Sequence, residues 1–161
     1  HAGVVLGLGG VAGHVYTKMV RGAPGYMARA WVAQNMSAVT AACMVVRKEI
    51  FEEVGGFDEA LPVAFNDIDF CLRLLQAGYR NVWTRYAELY HHESASRGSE
   101  DSPEKQARFA AEVHAMKWRW GEQLHDDAAY NPNLTLDQGD YGLAFPPRSP
   151  KLRIAGAPIR H

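Results

Sequence analysis

No aspartate or glutamate occurs in the first 48 residues; Glu49 is the first acid in the chain. The same stretch carries Lys18, Arg21, Arg29, Arg47 and Lys48. Over the whole sequence, 17 Lys and Arg balance 18 Asp and Glu, for a formal net charge of −1. Such a balance supplies no global field for nucleic acid or an anionic membrane. The acid-free start leaves two readings open: chance at an apolar beginning, or a surface turned toward an anionic ligand or domain. Cysteine is scarce, with only Cys43 and Cys71. Both lie in apolar runs, where a free thiol behaves as a small hydrophobe. A disulfide scaffold is thereby excluded, and a reducing, cytoplasmic compartment is expected. Long apolar runs are missing as well. The longest, residues 39–46, falls far short of a membrane span. Any association with the inner face of the membrane is therefore expected through other parts of a longer protein. The start also lacks the charged-then-apolar order of a signal peptide. It opens on His1 rather than Met, which suggests a piece of a larger chain.

What is present reads as one mixed α/β body over residues 1–125, with an extended Pro-rich tail over 126–161. Residues 2–6 are short, apolar and β-branched, as in a strand, and the glycines of 7–13 break it. Residues 14–36 show no period and read as a loop. The continuous apolar run 38–46 predicts a buried central strand. Residues 47–54 predict a short helix that Gly55-Gly56 stops. Residues 66–77 predict a helix, capped by Asn66 or Asp67 and ended by Gly78, with Ile68, Leu72 and Leu75 as its buried stripe. Residues 79–84 and 88–91 predict strands. Ser102-Pro103-Glu104 is a strong helix start. Phe109, Val113, Met116 and Trp120 then form an apolar face that Gly121 closes. Glu104, Arg108 and Glu112 stand four apart and read as a solvated face.

Three short patterns resemble known sites and fail on physical grounds. Gly7-Leu8-Gly9-Gly10-Val11-Ala12 fits a dinucleotide fingerprint, but no acid follows at about 20 residues to hold a ribose. Asp67-Ile68-Asp69 spells a metal-nucleotide sequence, yet positions i and i+2 on a helix point roughly 200° apart. His91-His92-Glu93 suggests a zinc hydrolase, but adjacent side chains on a strand face opposite ways.

The informative block runs from Val54 to Gly98. It contains Gly55-Gly56-Phe57-Asp58-Glu59, then Phe65-Asn66-Asp67-Ile68-Asp69-Phe70-Cys71-Leu72-Arg73, then Gly78-Tyr79-Arg80, then Ala87 to Gly98 with His91, Ser94, Ser96 and Arg97. In order and spacing this resembles the C-terminal, acceptor-side half of family-2 glycosyltransferases, which have the GT-A fold. Residues 34–46 and 130–147 also resemble a bacterial branch that acts in surface polysaccharide synthesis. The resemblance implies a partial GT-A fold, a mixed sheet flanked by helices. It also implies transfer of a sugar, with inversion, from a nucleotide-diphosphate sugar to a hydroxyl of a glycan acceptor.

Inverting transfer is a single displacement, in which a carboxylate takes the proton of the attacking hydroxyl. The family places that base on the second residue of an acidic pair, here Asp67. The residue before it is Asn66, where the family often has Glu, so a second negative charge is missing. Asn66, Asp69, Gly56, Phe57 and Asp58 are implied as acceptor-binding or supporting residues. Asp69 and Arg73, four apart, read as a helix-bracing salt bridge. Ser96 and Arg97 are implied as diphosphate-binding, since Arg suits phosphate oxygens. His91 is implied as a ligand of Mg²⁺ or Mn²⁺. The main metal motif and nucleotide sheet belong to an N-terminal half that the sequence does not show. Poor activity of the isolated chain and a homodimer through an exposed sheet edge are expected in consequence. A non-catalytic glycan- or partner-binding module with the same fold is the competing reading.

Overall fold

A computed structural model describes residues 1–91 and 102–148. Its strands are β1 (Val4–Leu6), β2 (Ala12–His14), β3 (Gln34–Met36) and β4 (Asn81–Trp83). The helices are α1 (Lys48–Glu53), α2 (Asn66–Gln76) and α3 (Pro103–Trp120). β1 and β2 pair antiparallel, with Val5 opposite Gly13. β3 and β4 also pair antiparallel, with Asn35 opposite Val82. A single bridge between Val4 and Ala38 links the two sheets. The glycine-rich turn after β1 thus closes a hairpin. A dinucleotide site needs that turn to open a helix of a parallel crossover unit, so the fingerprint is only a turn.

β1 shows why its residues are all apolar. Successive strand side chains face opposite ways. Val4 and Leu6 enter one core with Leu61, Ile68, Cys71, Met116, Trp120 and Leu124. Val5 enters a second core with Leu8, Val15, Met36, Tyr130, Leu134 and Tyr141. The segment from 126 onward supplies three residues of that second core. Its described part, 126–148, contains turns and one Leu134–Leu143 bridge, and lies against the body. Asp127 fastens it there: the buried carboxylate accepts the Leu6 N–H at 2.8 Å and the Ser37 hydroxyl at 2.5 Å.

Several expectations fail. Residues 38–46 do not form a strand. Only Ala38 is fully buried, and Val45 is 98% exposed. Thr40 accepts the Ala42 N–H at 3.2 Å and turns the chain into a 3₁₀ turn at Ala41–Cys43. Cys43 is exposed, while Cys71 is buried as expected. Residues 88–91 are not a strand; Glu88 instead makes a bidentate ion pair with Arg21. α2 ends at Gln76, yet Leu75 is partly exposed and Leu74 takes its buried place. Neither Asn66 nor Asp67 is the cap residue, which is Phe65 in a left-handed conformation. α3 begins and ends as predicted, with the Ser102 hydroxyl accepting the Lys105 N–H. Its Glu112, expected in solvent, is buried and accepts the Val63 and Ala64 N–H groups. Phe109 is substantially exposed. No helix among the described residues is long and apolar enough to cross a membrane.

Candidate active site

Asp67 sits in the first turn of α2, half-buried. Its Oδ1 accepts the Ile68 N–H at 2.9 Å, and its Oδ2 accepts the Ala41 N–H at 2.9 Å. The second bond docks the helix start on the 39–43 turn. Cys71, one turn along, strengthens the dock by donating to the Val39 carbonyl. Burial, opposed in part by the Val39 N–H that the sulfur accepts, pushes the Cys71 thiol up to about 12. A thiol so held is inert at neutral pH. No cation pairs with Asp67 among the described residues. Each carboxylate oxygen carries two lone pairs, so one bond apiece leaves capacity to accept a hydroxyl.

Asp69, two residues on, has the opposite fate. It is fully buried and accepts Arg73 Nε at 2.9 Å, Arg119 Nη1 at 2.7 Å and Trp120 Nε1 at 3.0 Å. The expected Asp69–Arg73 brace is thus present, widened by two residues of α3. The two acids of Asp-Ile-Asp face different partners, as helix geometry requires. They form no joint metal site.

The same network holds the Gly-Gly-Phe-Asp-Glu turn. Arg73 donates to the carbonyls of Val54 and, at 2.6 Å, of Gly56. Arg119 Nη2 reaches Asp58 Oδ2 at 2.6 Å. The other oxygen of Asp58 accepts the Ala60 N–H at 2.8 Å. That backbone bond and the Arg119 guanidinium hold the Asp58 carboxyl below the usual carboxylate range. Gly56 has φ +64°, and a Cβ there would stand 2.9 Å from the Phe51 ring. Phe57 packs with Phe51 and Phe70, ring centroids 5.5 and 5.1 Å away. Phe57, Asp58 and Asn66 all border one open cleft of about 280 Å³, together with Glu59, Leu61 and Pro62. Asp67 adjoins it through Asn66 and does not itself line it.

The structure therefore brings Gly56, Phe57, Asp58, Asn66, Asp67 and Asp69 into one neighbourhood. His91 stands apart, exposed, with its ring 5.7 Å from that of His1. Ser96 and Arg97 lie outside the described residues. Among the described residues no three His, Cys, Asp or Glu side chains gather to hold a metal ion. Mg²⁺ and Mn²⁺ call for several oxygen-rich ligands, so the described residues do not fit a complete metal site. Sequence reasoning missed Arg119, 50 residues from Asp69, and placed Trp120 on the apolar face of its helix without foreseeing its bond to Asp69. It also placed Glu112 on a solvated face and Asp127 in the extended tail, whereas both are buried.

The model of the glycosyl transferase family group 2 matches residues 14–131. The chain is 58% identical over 147 residues to an uncharacterized protein, y4gI, of Sinorhizobium fredii, covering 91% of the chain and 16% of that protein. It is 40% identical over 145 residues to the O-antigen biosynthesis protein RfbC of Myxococcus xanthus, covering 89% of the chain and 11% of that protein. It is 33% identical over 87 residues to an N-acetylglucosaminyl-diphospho-decaprenol L-rhamnosyltransferase of Mycobacterium tuberculosis, covering 50% of the chain and 28% of that enzyme. The chain thus spans less than a third of each of these relatives. No solved structure matches it. With the family model covering most of the chain, and with two small antiparallel sheets and helices around a shared core, this protein belongs to glycosyltransferase family 2 and is a partial GT-A fold.

Proposed function

We propose that the chain is the acceptor-side part of an inverting glycosyltransferase in which Asp67 is the general base. The acceptor hydroxyl attacks the anomeric carbon of a nucleotide-diphosphate sugar. Its oxygen forms the new glycosidic bond, its proton passes to Asp67, and the nucleoside diphosphate leaves with the electron pair of the broken C–O bond. The observation that carries this reading is the contrast between the two acids. Asp69 is consumed by three side-chain donors, whereas Asp67 is anchored by backbone N–H groups alone and keeps acceptor capacity. A base must be fixed yet unneutralised, and of these two acids Asp67 meets both conditions. The cleft bordered by Phe57, Asp58 and Asn66 is the matching place for the acceptor. The names of the relatives support a product in surface polysaccharide synthesis. Donor-sugar binding and the divalent metal belong to residues outside those described here.

The test is Asp67→Asn in a full-length protein carrying this segment, assayed by transfer of radiolabelled sugar to acceptor. Loss of a general base lowers kcat by about 10²–10⁴-fold. The KM for the donor should hold, and the fold should lose about one hydrogen bond, because the Asn oxygen can accept the Ala41 N–H but its amide nitrogen cannot accept the Ile68 N–H. Transfer at a near wild-type rate would overturn the assignment and favour a non-catalytic binding module.

A further inference from the structure

We propose that Glu112 of α3 is a positioning residue for sugar transfer, holding the 61–65 segment so that it both walls the acceptor cleft and sets the start of α2. The inference rests on the reading of Asp67 as the base and of the cleft beside it as the acceptor's place.

Glu112 is 49 residues from Val63 in sequence and only 2% exposed. One oxygen, Oε1, accepts both the Val63 N–H at 2.8 Å and the Ala64 N–H at 3.1 Å. Hydrogen bonds to a carboxylate are about twice as strong as neutral ones. The other oxygen stands 3.8 Å from Arg108 Nε. The two gripped amides lie between parts of the segment with different tasks. On one side, Leu61 and Pro62 border the cleft. On the other, Phe65 leads into α2 at φ +63°, a left-handed conformation that a bulky side chain disfavours. No side chain caps the helix at Phe65. Asn66, which borders the cleft, and Asp67 follow directly. α3 meets the segment a second time, one turn before Glu112, where the Phe109 ring lies 5.6 Å from that of Phe65. The head of α2 is thus held from two directions. The Ala41 N–H reaches Asp67 from the 3₁₀ turn, and Glu112 acts through the loop. A carboxylate is costly to bury for packing alone. Its two main-chain bonds account for its presence, and they bear on the link between acceptor wall and base.

The experiment uses the full-length protein, with the radiolabelled donor of the Asp67→Asn assay. Membranes of the strain it comes from, in graded amounts, supply the acceptor. Glu112→Met keeps the length of the side chain and removes its oxygens. It should raise the apparent acceptor KM about tenfold and lower kcat about tenfold, since a slight misplacement of reacting groups costs about 10²-fold; the donor KM should hold. Glu112→Gln keeps one oxygen for both N–H groups and should bring both values back to within about threefold of wild type. A merely structural role would shrink the folded fraction, which lowers kcat and leaves both KM values unchanged. Should Glu112→Met fail to fold, Phe109→Ala, at a position already 46% exposed, loosens the same segment. It should raise the acceptor KM about threefold. An unchanged acceptor KM in the folded variant, a donor KM that rises in step, or Glu112→Gln performing no better than Glu112→Met would each overturn the proposal. An active Asp67→Asn would defeat the catalytic reading and this inference with it. An inactive Asp67→Asn beside a kinetically normal Glu112→Met would defeat this inference alone.

Discussion

Replacing Asp69 by alanine removes the joint between α2, α3 and the Gly-Gly-Phe-Asp-Glu turn. The carboxylate is completely shielded, while the side chains of Arg73 and Arg119 remain 22% and 35% exposed. Removing one partner of a buried ion pair costs about 3–5 kcal/mol. Water still reaches both guanidiniums, so the cost should sit at the lower end, about 3 kcal/mol. With a urea slope of about 2 kcal/mol/M for a protein of this size, the unfolding midpoint falls by about 1.5 M. Asp69→Asn keeps an acceptor for Trp120 and one arginine, and should lose about half as much. The assay is urea denaturation followed by tryptophan fluorescence, to which Trp120 contributes together with Trp31, Trp83 and Trp118. A midpoint shift for Asp69→Ala below about 0.3 M would refute the reasoning. It would mean that the two arginines are satisfied by water and that α3 is held by apolar packing alone.

Three further outcomes follow from particular contacts. Gly55 and Gly56 both have positive φ, but only a Cβ at Gly56 meets the Phe51 ring. Gly55→Ala should cost about 1 kcal/mol and Gly56→Ala distinctly more, by denaturant titration; equal costs would show that Phe51 swings aside. The Asp58 carboxyl is held below its ordinary 3.8 in the folded chain. Its contribution to stability is fully present above the unfolded value and disappears as pH falls through the lower native one. Stability curves of wild type and Asp58→Asn should therefore converge as pH falls below about 4, and parallel curves would contradict the Ala60 N–H and Arg119 contacts together. Cys43 is exposed and Cys71 buried. One thiol should react with iodoacetamide in the native chain and two in denaturant, counted by mass spectrometry; native labelling of both would show that α2 does not stay docked.

The sequence made the helices legible because their signals are local. Ser102-Pro103-Glu104 and Gly121 marked α3 correctly, and Gly78 marked the end of α2 closely. The strand expected at 38–46 misled because apolar, β-branched composition measures suitability for a sheet and says nothing about a partner. Beyond Ala38 no described strand pairs with it, and Thr40 bends it into a turn. At the site, Asp67 and the Asp69–Arg73 brace were visible through resemblance and i,i+4 spacing. Arg119 was not, since a partner 50 residues away leaves no periodic trace. Glu112 was misread for a related reason: spacing shows which residues share a helix face, and not whether another loop covers that face.

Asp127 carries a practical consequence for anyone trimming the chain. A cut at residue 125, where composition alone suggests the body ends, would strip the Leu6 amide and the Ser37 hydroxyl of their acceptor. It would also uncover Val5, Val15 and Met36, which Tyr130, Leu134 and Tyr141 now cover. Expression of such a shortened version should yield insoluble material, and the last usable truncation point lies beyond Tyr141.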